Sequence, residues 1–298
     1  MCGIVGLHLK NRTLYPRLGE LLTPMLLAMG DRGPDSAGIA LYENSLADDC
    51  LRYSLRAPAP GYAWDELAER LTIALGTDVQ VRRAADDAVL TMRGDPACVL
   101  AQVQCSAPDV GVFAYGRAME IYKGVGDPGT ICRRYGIIER GGYQGLGHTR
   151  MATESAVTTD HSHPFAAAAD LCLVHNGSFS NYATVRRRLV DDGVTFQTDN
   201  DSEVAARFLA RQMAEGADLV QALRHMMRAL DGFFTLLVAS HDQFAVVRDA
   251  FACKPAVIAE SEDYVAMASE YRALAELPGI DEARVFEPEP EEIYVWSR

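Results

Sequence analysis

The sequence predicts an α+β chain folded as a four-layer αββα sandwich, with helices outside and two sheets between them. Three observations carry that prediction. Short β-branched and apolar runs recur from Cys2–Leu9 at one end to Val265–Ala268 near the other. Helical stripes stand between them, two of them consecutive, at 201–215 and 217–230. No repeat, linker or low-complexity stretch divides the 298 residues, so those helices have to cover sheets of the same body.

Cys2–Leu9 reads as a strand beginning at the terminus. Leu18, Leu21, Leu22, Met25, Leu26 and Met29 then follow helical spacing, and Gly30 stops that helix. Arg32-Gly33-Pro34-Asp35-Ser36-Ala37-Gly38 is a loop leading into a buried strand at Ile39–Tyr42. Residues 43–135 are less legible, with a helix near Trp64–Leu75, apolar runs at 88–92 and 110–115, and a turn at 124–129. Strands are expected at Gly145–Arg150 and Leu171–His175, and a helix at 181–192. The runs 233–240, 244–248, 256–259 and 265–268 read as four closely spaced strands, an antiparallel meander.

Composition narrows the function. Lys and Arg sum to 28 against 41 Asp and Glu, a net charge of −13 that repels phosphate backbones and anionic lipid, so neither nucleic acid nor a membrane is an expected partner. Only Lys10, Lys123 and Lys254 are lysines, so each stands out against the many arginines. Seven cysteines with no C-x-x-C pair argue against a disulfide framework, a zinc ribbon or an iron–sulfur cluster. A soluble protein of the reducing cytoplasm is expected. His161-x-His163, with His148 and His175, could be taken for a metal cluster, but no carboxylate sits at ligand spacing, and no metal is expected.

Position 2 is the most informative. Removal of Met1 ahead of a small residue would leave Cys2 with a thiol and a free α-amine, a nucleophile carrying its own base: their reference pKa values are about 8.5 and about 7.7–8.0. Alone, such a cysteine is as well explained as a small apolar residue opening a strand. Its company is what distinguishes it. Met1–Gly6, Arg32–Gly38, Gly147–Thr153, His163-Pro164-Phe165, His175-Asn176-Gly177 and Asp201-Ser202-Glu203 follow in one order over about two hundred residues. Arg248-Asp249, Lys254-Pro255 and Ala268-Ser269-Glu270 come after them.

In these stretches the chain resembles a class II (N-terminal nucleophile) glutamine amidotransferase. The resemblance implies one such domain over residues 2–298, with an insertion at about 43–135. It implies catalytic roles for Cys2, Arg32, Asn176 and Gly177: Cys2 attacks the side-chain amide, Arg32 orients the terminus, and Asn176 with the Gly177 N–H stabilises the oxyanion. Arg150 would pair with the substrate α-carboxylate and Asp201 with its α-ammonium, assisted by Thr153 and the Met151 backbone. The chain departs from the family pattern at Asp31, often His, and at Met151, commonly aromatic. Glutamine is the implied substrate and a synthase subunit on a separate chain the implied partner. No cofactor is expected in this chain, and a flavin or iron–sulfur centre would belong to that partner. The organisation also resembles the stand-alone amidotransferase subunit of glutamate-synthase-like assemblies. A subunit of an N-methylglutamate synthase complex and a catalytically idle docking module of the same fold stay open as alternatives.

Overall fold

The computed structural model describes residues 2–152 and 156–298. Its elements in order are β1 (Gly3–Leu9), α1 (Leu18–Leu27), β2 (Ser36–Tyr42), β3 (Cys50–Arg56), α2 (Trp64–Leu75), β4 (Val79–Ala84), β5 (Asp87–Arg93), α3 (Pro96–Ser106), β6 (Gly111–Gly116), β7 (Met119–Val125), α4 (Pro128–Tyr135) and β8 (Gln144–Arg150). There follow β9 (Phe165–Ala168), β10 (Leu171–Phe179), α5 (Tyr182–Asp191), α6 (Asp201–Ala214), α7 (Leu219–Ala229), β11 (Gly232–Ala239), β12 (Gln243–Arg248), β13 (Val257–Glu260), β14 (Tyr264–Ala268), β15 (Arg284–Phe286) and β16 (Ile293–Ser297).

A seven-stranded sheet of order β15-β13-β14-β1-β8-β2-β7 faces a five-stranded sheet of order β16-β12-β11-β10-β9. Three apolar clusters account for the four layers. The stripe of α1 packs on the outer face of the larger sheet through Leu18, Leu22, Met25 and Leu26. Ile4, Tyr42, Leu146, Val174, Phe244, Val265 and Met267 fill the space between the sheets. On the outer face of the smaller sheet, Leu173, Phe234 and Leu236 meet Val204, Leu209, Leu223 and Met226 of α6 and α7. This is the expected αββα arrangement, and it follows from period-two alternation, which gives every strand one apolar face for each neighbouring layer.

The expected meander at 233–268 does not form. β11 and β12 pair in the five-stranded sheet, whereas β13 and β14 pair in the seven-stranded one, where β14 also joins β1 through Val5↔Ala268. Both hairpins turn apolar side chains into the same space between sheets, so local spacing could not say which sheet each would join.

Residues 50–116 build a third sheet, β4-β5-β3-β6, covered by α2 and α3 around its own core of Tyr53, Trp64, Leu67, Leu71, Leu90 and Val99. α2 ends where Gly76 takes φ +65 and returns its N–H to Thr72, a left-handed cap that glycine adopts without penalty. β7, which comes next, pairs with β2 in the seven-stranded sheet. One of the joints between the two bodies is Glu120 of β7, which is buried and pairs with Arg82 at 2.5 Å, Arg140 at 2.6 Å and Arg52 at 3.5 Å. Ala84, Val89 and Ala114 also pack into the clusters of the sandwich.

Candidate active site

Alternation along three strands assembles the site. Ile4 and Gly6 of β1 face the space between the sheets, and Cys2 shares their side of the chain. Antiparallel pairing of β1 with β8 matches Gly3 to Thr149, and one further step sets Cys2 opposite Arg150. Leu146 of β8 faces the second sheet, and His148 and Arg150 share its face. From the opposite sheet β10 turns Val174 inward, and Asn176 follows it.

Cys2 is half-buried and lines a cavity of about 420 Å³ with Arg150, Met151, His163, Gly177 and Asp201. That volume lies in the small-molecule range of about 300–1,000 Å³. The Arg32 Nε donates to the Cys2 carbonyl at 3.0 Å, and its Nη1 pairs with Glu270 at 2.5 Å. Glu270 also holds Arg272, at 2.7 Å. The terminal strand is tied a second time where Ile4 N donates to Ser269 Oγ at 3.0 Å and Ser269 N donates to the Ile4 carbonyl at 2.9 Å. Asp35 clasps the next wall, with its N–H to the Arg150 carbonyl at 3.1 Å and its carboxylate accepting from Ala152 N at 2.8 Å. The Arg32–Ser36 stretch is therefore more than a turn, for it binds both the nucleophile's strand and the substrate wall.

Burial pushes the Cys2 thiol above its ordinary value, while a Met151 backbone N–H and the guanidiniums of Arg150 and Arg32 pull the other way. The resting group is a thiol, and attack needs a base beside it.

Asn176 is buried, and its Nδ2 has no hydrogen-bond partner among the described residues. An amide donor left unpaired in a dry site is costly unless a ligand completes it. The turn that Asn-Gly alone could signify is absent, since β10 runs on to Phe179 with Asn176 opposite Thr235. Gly177 has φ +151, and a Cβ there would run into the Phe233 carbonyl. Only glycine lets β10 keep this close approach to β11 at the cavity wall.

Asp201 opens α6, but the helix cap is Asn200, whose side chain accepts from Ser202 N at 2.8 Å. Freed of capping, Asp201 accepts from Phe179 N at 2.9 Å and from Ser202 Oγ at 3.2 Å, and it still lines the cavity. Arg150 is buried and donates to the Ala156 carbonyl at 3.0 Å. Thr153 and Met1 lie outside the described residues.

The histidines part company. His161 pairs with Asp199 at 2.7 Å on the surface, whereas His163 is buried and stacks on His148 with ring centroids 4.0 Å apart. Nε2 of His148 meets the His175 carbonyl at 3.0 Å, and Nδ1 of His175 meets Ser202 Oγ at 2.8 Å. Burial pushes His148 down to about 3 and drives His163 and His175 below the ordinary imidazole value, so all three are neutral and apolar enough to pack. Asp249 and Lys254 do not form the buried pair that their spacing allowed. The Asp249 carboxylate accepts from Phe234 N and Phe251 N, each at 2.8 Å.

Cys2, Arg150, Met151, Ala152, His163, His175, Gly177, Asp201 and Ser202 thus line one cavity, and Arg32 and Asp35 hold its walls through Cys2 and Ala152. A family model of the glutamine amidotransferase domain matches residues 134–288. The glutamine amidotransferase-like protein GlxB of Rhizobium meliloti is 48% identical over all of this chain and 98% of its own length. The chain belongs to the class II glutamine amidotransferases. The amidophosphoribosyltransferase of Methanocaldococcus jannaschii is 30% identical over 60% of this chain and 38% of its own. The solved glutamine phosphoribosylpyrophosphate amidotransferase from B. subtilis superposes with a TM-score of 0.64 at 18% identity, a likeness of fold that spans 99% of this chain and 47% of that one. In and around this site, sequence reasoning assigns no role to Ser202 and Asn200, which line the cavity, or to Glu270 and Lys123, which hold neighbouring segments. Glu270 had a signal, since Ala268-Ser269-Glu270 stood among the matching stretches.

Proposed function

We propose that this chain is a glutaminase subunit, hydrolysing L-glutamine to L-glutamate and ammonia through a thioester on Cys2 and delivering the ammonia to a synthase on a separate chain. The observation that carries the reading is the single cavity that joins Cys2, Arg150, Gly177 and Asp201, with Arg32 holding the Cys2 carbonyl. In the proposed reaction, removal of Met1 frees the Cys2 α-amine. The amine takes the thiol proton as sulfur attacks the side-chain amide carbon. Asn176 Nδ2 and the Gly177 N–H receive the oxyanion, and the α-amine returns the proton to the departing ammonia. Water then enters, sulfur leaves, and glutamate is released. Arg150 takes the α-carboxylate as a planar fork and Asp201 takes the α-ammonium. None of these steps draws on a cofactor in this chain, and any redox chemistry belongs to the partner.

Intact mass before and after exposure to 6-diazo-5-oxo-norleucine tests this reading. The expected result is a chain lacking Met1 that gains one adduct, with no adduct in Cys2→Ala and loss of glutaminase activity there. A chain that keeps Met1 and takes no adduct, purified from its native host with its partners, would favour a docking module instead.

A further inference from the structure

Lys123 lies on β7, the edge strand of the seven-stranded sheet, opposite Gly38 of β2. It is buried, 4% exposed, and no carboxylate pairs with it among the described ion pairs. Its Nζ instead donates to three backbone carbonyls of one segment, Ser162 at 2.8 Å and Asp160 and Pro164 at 3.4 Å each. The rings of Phe113 and Phe165 bracket the ammonium, each centroid 4.9 Å away. Three N–H donors meet three acceptors, so the cation is fully used in holding chain. Gly38 makes room for this contact, since a Cβ there would strike the His163 carbonyl.

What the segment does at its other contacts gives the cage its meaning. The Ala156 carbonyl accepts from Arg150 at 3.0 Å. Thr158 Oγ1 meets His161 Nδ1 at 2.7 Å, and His161 Nε2 meets Asp199 of the cavity wall at 2.7 Å. His163 lines the cavity itself and stacks on His148. One stretch of chain therefore touches the carboxylate-binding arginine and the loop that leads into Asp201, and Lys123 is what fastens its inner side.

We infer that Lys123 is a positioning residue for the amino-acid end of the substrate, tying the 156–164 segment down so that Arg150 and the 199–201 loop face each other at the right separation. The inference rests on the glutaminase reading above. It separates two properties of the site: the reactivity of Cys2, which β1 and Arg32 set, and recognition of the α-amino acid group, which the segment sets. Displacing binding groups by about 1 Å can cost about a hundredfold.

Two electrophiles read those properties apart. Iodoacetamide alkylates a thiol without needing an α-amino acid group, whereas 6-diazo-5-oxo-norleucine carries one. Labelling rates of the Cys2 peptide would be measured by mass spectrometry in the full chain, in Lys123→Met, which keeps the volume and removes the donors, and in Lys123→Gln, which returns two N–H groups. Expected are iodoacetamide rates within about twofold of wild type in both variants. With 6-diazo-5-oxo-norleucine a loss of at least about tenfold is expected in Lys123→Met, with a smaller loss in Lys123→Gln. Equal slowing of both probes would show a merely structural lysine, and unchanged labelling by both would show no role; either overturns the inference. If Lys123→Met does not fold, the probe ratio in Lys123→Gln decides. A wild-type chain that iodoacetamide labels and 6-diazo-5-oxo-norleucine does not would fail earlier, at the glutaminase reading, and the inference would fall with it.

Discussion

The sandwich and the sheet of residues 50–116 are built by the same rules and used differently. The core of the smaller body is apolar, from Leu51 and Tyr53 to Val99 and Val103. In the sandwich near Cys2 the chain buries His148, Arg150, His163 and Asn176, groups that cost free energy to desolvate. The smaller body buries few such groups, Asp87 among them, whose carboxylate accepts from Ala57 N at 2.9 Å and Tyr135 Oη at 2.7 Å, whereas the sandwich gathers several of them around the cavity. The contrast sets a largely apolar body beside the sandwich that carries the cavity, and the Glu120 ion network is one of the places where the two meet.

That junction gives the largest expected effect. Glu120→Ala would leave Arg82, Arg140 and Arg52 around a site that has lost its charge, and removing one member of a buried ion network costs about 3–5 kcal/mol. Chemical denaturation should show a loss of that size, with the KM for glutamine unchanged in the folded fraction. A raised KM would break the comparison, because it would make the 50–116 body part of the site.

Asn176→Ala should do the reverse. Loss of one oxyanion donor costs about 2.7–4 kcal/mol, read as a 10²–10³-fold fall in kcat. The thermal midpoint should stay at or above the wild-type value, since the variant deletes an unpaired buried amide. A fall in stability without a fall in kcat would make Asn176 a structural residue.

The comparison also explains what could be read from sequence. Cys2, Arg150, Gly177 and Asp201, singled out from the sequence, do come to line one cavity, with Arg32 on the Cys2 carbonyl; they stand in short stretches of restricted residue type, which is a signal that survives without the fold. α2 was legible because an amphipathic stripe ending at Gly76 is a local signal. The sheet membership of β13 and β14 was not, because β14 joins the larger sheet through β1, more than two hundred residues away, and β13 follows it. Lys123 stood out by rarity, yet its cage is made of backbone carbonyls that any sequence supplies. Glu120 had the same difficulty in another form: nothing marks Arg52, Arg82 and Arg140 among so many arginines until the chain is folded.

A pH effect, separate from these substitutions, follows from the histidines. Unfolded imidazoles take a proton near pH 6.5, whereas burial holds His148 to about 3 and keeps His163 and His175 below the ordinary value. Below pH 6.5 the unfolded chain therefore binds more protons than the folded one, so stability falls as pH falls, by at most about 1.4 kcal/mol per pH unit for each histidine. At pH 7 and above this penalty is absent. Residues 50–116 contain no histidine. Hydrogen exchange at pH 7 and pH 5, corrected for the intrinsic rates, should lose protection in β8 and β10 while β3 and β5 keep theirs. If protection falls equally in all four strands, the two bodies open as one cooperative unit. The Glu120 network and the shared packing of Ala84, Val89 and Ala114 would then couple them.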